Sequence, residues 1–166
     1  MGKEIERKFL VRDDTWRVEA DAGLHCAQGY LCVGPPVAVR VRIMGGKAML
    51  NIKKAVLSTG GEIPGAIHAV ERDEFEYPIP LDDAEALLAG LCNGYPIEKT
   101  RHKFSYGGYV WEIDVFAGEN AGLIVAEIEL SSADEPFERP SWLAEEVSHD
   151  PRYLNSNLSR KPFSQW

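Results

Sequence analysis

Carboxylates and an amine recur at every second residue in the stretch Glu4-Ile5-Glu6-Arg7-Lys8. In an extended strand successive side chains alternate between faces, so Glu4, Glu6 and Lys8 point the same way. Two acids close enough to share a cation, with an ammonium one step further on, suit a metal-bound polyanion. The competing reading is that an alternating-charge strand is the solvated face of a sheet. Repetition favours the first reading, because the pattern returns on most later strands.

A second group of candidates is cationic. Val37 to Ile43 and Lys47 to Lys54 flank Met44-Gly45-Gly46-Lys47, and Gly-Gly is a two-residue hairpin signal. Turning the chain there sets Arg42 opposite Met49, Arg40 opposite Asn51 and Ala38 opposite Lys53, with Val41 against Leu50 and Val39 against Ile52 on the other face. Arg40, Arg42 and Lys53 thus share one patch. Three cations together repel one another unless an anion lies over them, and arginine forks suit phosphate oxygens. Carboxylates on neighbouring strands are the alternative way to neutralise them.

The elements that position these groups are mostly strands. A second hairpin at Gly107-Gly108 joins Ile97–Tyr106 to Tyr109–Phe116, placing Lys103 opposite Glu112 and Arg101 opposite Asp114, with Lys99 further along. Phe104 against Trp111 and His102 against Ile113 take the opposite face, where His102 reads as a hydrogen-bonded structural residue. Val70 to Tyr77 carries Arg72, Glu74 and Glu76 on one face, and Leu123 to Leu130 carries Glu127 and Glu129. The strand from Ala27 to Val33 puts Gln28, Tyr30 and Cys32 together. A helix starts at a capping-box-like Asp82 and Glu85 and stops at Gly94. Another short helix follows Pro140-Ser141-Trp142, a further helical turn lies within 152–159, and 55–69 reads as a glycine-rich mobile loop.

The 166 residues suffice for one domain, 1–166, with a sizeable core. A formal charge of -8 argues against a duplex nucleic-acid binder with a basic surface, so any polyanion site is a local pocket in an acidic molecule. Cys26, Cys32 and Cys92 suggest neither a disulfide framework nor a zinc site, and read as small apolar fillers. With no membrane-length apolar run, the chain reads as cytoplasmic, with no membrane partner.

Alternation alone leaves the orientation of the charged faces open. Facing outward, they decorate an antiparallel sandwich with weak ion pairs. Facing inward, they require a barrel with a wet lumen, and Val39, Val41, Ile52, Trp111 and Ile113 then need covering by helices or a second subunit.

The run Glu4-Ile5-Glu6-Arg7-Lys8-Phe9-Leu10 resembles the ExExK opening of the CYTH superfamily, the triphosphate tunnel metalloenzymes. Similar segments follow in order: Gln28-Gly29-Tyr30-Leu31, Arg40-Val41-Arg42, Asn51-Ile52-Lys53, Arg72 to Glu76, Glu98 to Arg101, Trp111 to Phe116, Glu127-Ile128-Glu129 and Tyr153-Leu154-Asn155. The resemblance implies an α+β, mainly antiparallel β fold: a closed eight-stranded β-barrel with a few flanking helices, binding a triphosphate and Mg²⁺ or Mn²⁺ in its tunnel. By the same resemblance Lys8, Arg40, Arg42, Lys53, Lys99 and Arg101 correspond to phosphate ligands. Glu4, Glu6, Asp114, Glu127 and Glu129 correspond to metal ligands, with Glu112 and Glu74 or Glu76 as helpers. Lys99, Tyr30 and Lys8 take the catalytic positions.

The implied reaction is divalent-metal-dependent hydrolysis of a phosphoanhydride in a small triphosphate, with inorganic tripolyphosphate first. Alternatives are a class IV-like adenylyl cyclase, a thiamine or nucleoside triphosphatase, and a non-catalytic polyphosphate-binding module. A thiamine substrate would need an aromatic platform, for which Trp16 or Trp142 are candidates. The tail departs from the family pattern at Ser156 and Asn157, where Arg160 or Lys161 could substitute for a basic contact. Apolar outer faces suggest a homodimer.

Overall fold

The computed structural model describes residues 2–34, 37–54 and 70–166, with side chains described from 5–34, 37–53 and 74–166. Two glycine pairs turn the chain as their composition predicts. Gly45 and Gly46 (φ +57° and +76°) join β3 (Val37–Met44) to β4 (Lys47–Lys54), and Gly107 and Gly108 (φ +60° and +82°) join β6 (Asn93–Tyr106) to β7 (Tyr109–Phe116). Consecutive positive φ values suit the tight turn that matches strand twist, and only glycine adopts them without steric cost. Both hairpins have the expected registers, including Arg40 opposite Asn51 and Arg101 opposite Asp114.

The remaining strands are β1 (Gly2–Val11), β2 (Leu24–Gly34), β5 (Val70–Ile79), β8 (Ile124–Leu130) and β9 (Leu143–Glu146). The sheet order is β5-β4-β3-β2-β6-β7-β8-β1-β9, with a further β5–β1 pairing. β1 pairs with β8 from Ile5 to Leu10 and with β5 from Gly2 to Glu6. That double pairing closes eight antiparallel strands into a barrel. β9 is an addition that pairs with β1 only at Phe9 and Val11. It stands where a short helix is expected, because a four-residue Leu-Ala-Glu-Glu strand lacks the length and β-branching that signal one.

Closure assigns the faces. Phe9, Phe104, Trp111, Ile113 and Ile128 point out of the barrel and form a buried cluster with Trp16, Trp142 and Leu143. On the other side α1 (Leu81–Gly90) packs Ala84, Leu87 and Leu88 over Val41, Ile43 and Leu50. Much of the outer apolar surface is therefore covered within the chain. His102 keeps its structural reading, with Nδ1 3.0 Å from the Asp21 carbonyl oxygen and its ring edge-on to Trp16.

Several boundaries differ from expectation. Pro80 occupies the α1 N-cap with no side-chain cap bond, and Asp82 and Asp83 instead lie in the first turn, where they complement the helix dipole. Gly94 lies inside β6 with φ +79°, against the Ser159 backbone, and does not end the helix. Beyond Tyr153 the tail forms the helical turn expected within 152–159, α2 (Asn155–Leu158), and then a 3-10 turn at Phe163–Gln165. Cys26 is a buried filler, whereas Cys32 is exposed and Cys92 is half-buried. The loop expected at 55–69 lies outside the described residues. No helix among the described residues is long and apolar enough to cross a membrane.

Candidate active site

The rows that alternation left unoriented face inward. They enclose a cavity of about 510 Å³ whose wall includes Glu6, Lys8, Tyr30, Arg40, Arg42, Lys53, Lys99, Arg101, Glu127 and Glu129. So many charges cannot be buried dry, so the bore is a wet one. The charge does not run its full length. Two residues beyond Lys8 and Lys99 the inward positions become Leu10 and Ile97, which cluster with Phe116, Val125 and Leu158. The deepest ions therefore rest on an apolar floor.

Above that floor the ions interlock. Arg101 donates from Nε to Asp114 Oδ1 and from Nη2 to Asp114 Oδ2, each at 2.7 Å, and from Nη2 to Glu127 Oε2 at 2.7 Å. Arg101 also bonds Glu112, and Lys99 bonds Asp114. Lys8 Nζ lies 2.8 Å from Glu6 Oε1 and also bonds Glu127. Asp114 is fully buried behind Lys99 and Arg101 and is not part of the cavity wall.

On the β3–β5 side the pairs are longer. Arg42 Nη2 lies 3.1 Å from Glu76, and Glu74 takes Lys53 at 3.2 Å and Arg40 at 3.7 Å.

Two buried lysines titrate in opposite directions. Burial pulls the Lys8 ammonium down, but Glu127 and Glu6 outweigh it and hold its pKa above the ordinary lysine value. At Lys99 burial, reinforced by repulsion from Arg101, outweighs Asp114 and Glu127, so its pKa is lowered. Burial would raise Glu127 and Asp114, yet the surrounding cations win at both, leaving Glu127 well below the ordinary glutamate range and Asp114 below its own.

The side chain of Glu4 lies outside the described residues; its backbone pairs with Arg72. Glu6 stands directly opposite Glu129 across β1 and β8, and Glu112 opposite Glu127 across β7 and β8. Like charges so placed repel unless a cation lies between them. Arg101 bonds both members of the second pair. Among the described residues, no three His, Cys, Asp or Glu side chains form a group ready to hold a metal.

Sequence reasoning overlooks some of the wall. Met44 and Val110 line it, sharing their strands' inward parity with Arg42 and Glu112, a signal that was available. The tail was not overlooked: Leu154 and Asn155, part of the family-like segment, and Ser156, where the family pattern departs, also line it. Arg160 and Lys161 do not substitute for a basic tail contact: Arg160 bonds the Val33 carbonyl, and both line a separate surface cleft.

Fold and site together define a closed antiparallel bore with an ionic, water-accessible interior. The CYTH domain model matches residues 2–160, and the chain belongs to that family. It is 43% identical over 166 residues to an inorganic triphosphatase of Acetivibrio thermocellus, covering 100% of this chain and 99% of that protein. An inorganic triphosphatase of Nitrosomonas europaea is 34% identical over 163 residues, covering 94% and 96% respectively. The crystal structure of the inorganic triphosphatase NE1496 matches with a TM-score of 0.65 at 31% identity, covering 96% of this chain and 95% of that one.

Proposed function

We propose that the chain hydrolyses a terminal phosphoanhydride of a small triphosphate, inorganic tripolyphosphate first, with a divalent metal. The observation that carries this reading is the bore itself: Lys8, Arg40, Arg42, Lys53, Lys99 and Arg101, with Lys103 as a seventh cation, converge on one cavity. The names of the two closely related proteins support the same reaction.

The donor set fits Mg²⁺ or Mn²⁺. Glu6 and Glu129 offer hard oxygen ligands from directly opposite strand positions, where a cation would relieve their repulsion. Mg²⁺ needs only one or two carboxylates when phosphate and water complete its shell. Glu4 and Glu127 are the further candidates, and Asp114 would have to exchange Lys99 and Arg101 to join them. When bound, the ion would polarise the phosphoryl group and activate water.

The protein's own contribution is positioning and charge. Arg40, Arg42 and Lys53 spread and hold the phosphate oxygens, and Lys8 and Arg101 fix the deeper end. As water attacks the terminal phosphorus, the P–O anhydride bond breaks and its electron pair stays on the leaving phosphate. Lys99, an ammonium on the cavity wall whose pKa is lowered, gives that oxygen a proton. Tyr30, buried on the same wall, adds a hydroxyl donor.

A thiamine substrate is disfavoured, because Trp16 and Trp142 are buried in the outer-face cluster. The deciding experiment offers tripolyphosphate, ATP and thiamine triphosphate with Mg²⁺ or Mn²⁺ and identifies the products. Release of phosphate from tripolyphosphate supports the reading; cyclic AMP from ATP with inert tripolyphosphate overturns it. Glu6→Gln and Glu129→Gln are each expected to remove metal-dependent turnover while leaving the melting curve in place. A homodimer could use Phe75 and Tyr77, exposed side by side on the outer face of β5, and a monomer mass by light scattering would contradict it.

A further inference from the structure

Asn51 has no surface exposure and is not part of the cavity wall, yet it lies directly beneath it. Its Nδ2 donates to Glu74 Oε1 at 2.8 Å and also to Glu76. Ionised carboxylates only accept, so this amide cannot be flipped: its nitrogen faces the two acids and its oxygen faces away. Those two acids are the partners of Arg40, Arg42 and Lys53. One neutral amide therefore joins the ion pairs that Arg40, Arg42 and Lys53 make with Glu74 and Glu76.

We propose that Asn51 is a positioning residue that holds Glu74 and Glu76 back while their cations transfer to the polyphosphate. A triphosphate can use Arg40, Arg42 and Lys53 only by competing with Glu74 and Glu76 for them. A carboxylate that loses its cation inside the bore needs another donor, or it clings to the cation and repels the incoming anion. The two N–H groups of Asn51 supply that donor to both acids at once. Arg40 Nε, buried without a partner among the described residues, is a donor left for the ligand. The sign follows: without the amide the cations are held more tightly by their acids, and substrate affinity falls.

The inference rests on Arg40, Arg42 and Lys53 as phosphate ligands. Steady-state kinetics with tripolyphosphate and Mg²⁺ or Mn²⁺ test it. Asn51→Leu, which removes both charge-assisted hydrogen bonds, is expected to raise KM at least about tenfold, with kcat changed less than about threefold. Asn51→Thr retains one donor and is expected in between, and it serves if the leucine variant fails to fold. In a Glu74→Gln, Glu76→Gln background, Asn51→Leu is expected to add no further rise, since its acceptors have lost their charge. A KM equal to wild type, or the same rise in both backgrounds, overturns the proposal. If Arg40→Ala with Arg42→Ala also leaves KM unchanged, the phosphate assignment itself fails; if that variant raises KM while Asn51→Leu does not, only the role of Asn51 fails.

Discussion

The two walls of the bore use the same residue types for different work. On β3–β5, the paired side chains are between 11 and 36% exposed and meet at 3.1 to 3.7 Å. Around Arg101 and Lys8, paired side chains are at most 18% exposed apart from Glu112 at 32%, with Asp114 at 0%, and the bonds include several at 2.7 to 2.8 Å. The arginines register the difference. Burial and neighbouring Arg40 lower the pKa of Arg42, whereas at Arg101 burial is outweighed by Asp114, Glu127 and Glu112 and the pKa is raised well above the ordinary value. A loosely paired cation can be given up to a ligand; one held by three acids keeps its place and sets the local field. On the proposed reading, the number of acids per cation, more than the cation itself, separates the wall whose cations transfer to phosphate from the wall whose cations stay paired.

The comparison breaks most sharply at Asp114. Asp114→Asn removes the shared partner of two buried cations and is expected to cost about 3–5 kcal/mol, since breaking a buried pair leaves charge uncompensated; denaturant unfolding measures it. A loss below about 1 kcal/mol would mean that this wall is no tighter than the other. Arg40→Ala with Arg42→Ala should show the converse, a tens-of-fold weaker tripolyphosphate affinity with little change in melting temperature, read by calorimetry.

A smaller effect concerns protons. Lys99 is the proposed proton carrier, so the alkaline fall of kcat is expected at a pH below the ordinary lysine value of 10.5, and Lys99→Arg should shift that limb upward in whatever activity remains. Acid stability gives the gentlest contrast. Glu127 has a folded-state pKa below its unfolded one, so its stabilisation is full above about 4.5 and is lost as pH falls through the lowered value. Melting curves should therefore show no loss from this wall until the solution is more acidic than 4.5. An earlier fall would place the weak point elsewhere.

Much of this was legible beforehand for a local reason. Paired glycines fix a turn, a turn fixes register, and register with a period of two fixes which residues share a face. Arg40 beside Asn51 and Arg101 beside Asp114 follow from that chain of reasoning without coordinates. The apolar floor was harder to see, because Leu10, Ile97 and Phe116 have inward parity among charged neighbours and look like interruptions until the interior is known to be shared. Asn51 was visible only as the residue opposite Arg40; its hold on Glu74 and Glu76 depends on β5 lying on the other side of β4.

Sequence by itself determined the eight barrel strands but not β9, together with the hairpins and the sorting of ions from apolar residues, since each depends on neighbours a few positions away. Which side of the sheet is inside was decided only when β1 paired with both β5 and β8, a contact between distant segments that no local pattern encodes. The division of labour between the walls was decided at the same level, because a side chain's burial and its count of counter-charges belong to the assembled bore and not to any strand within it.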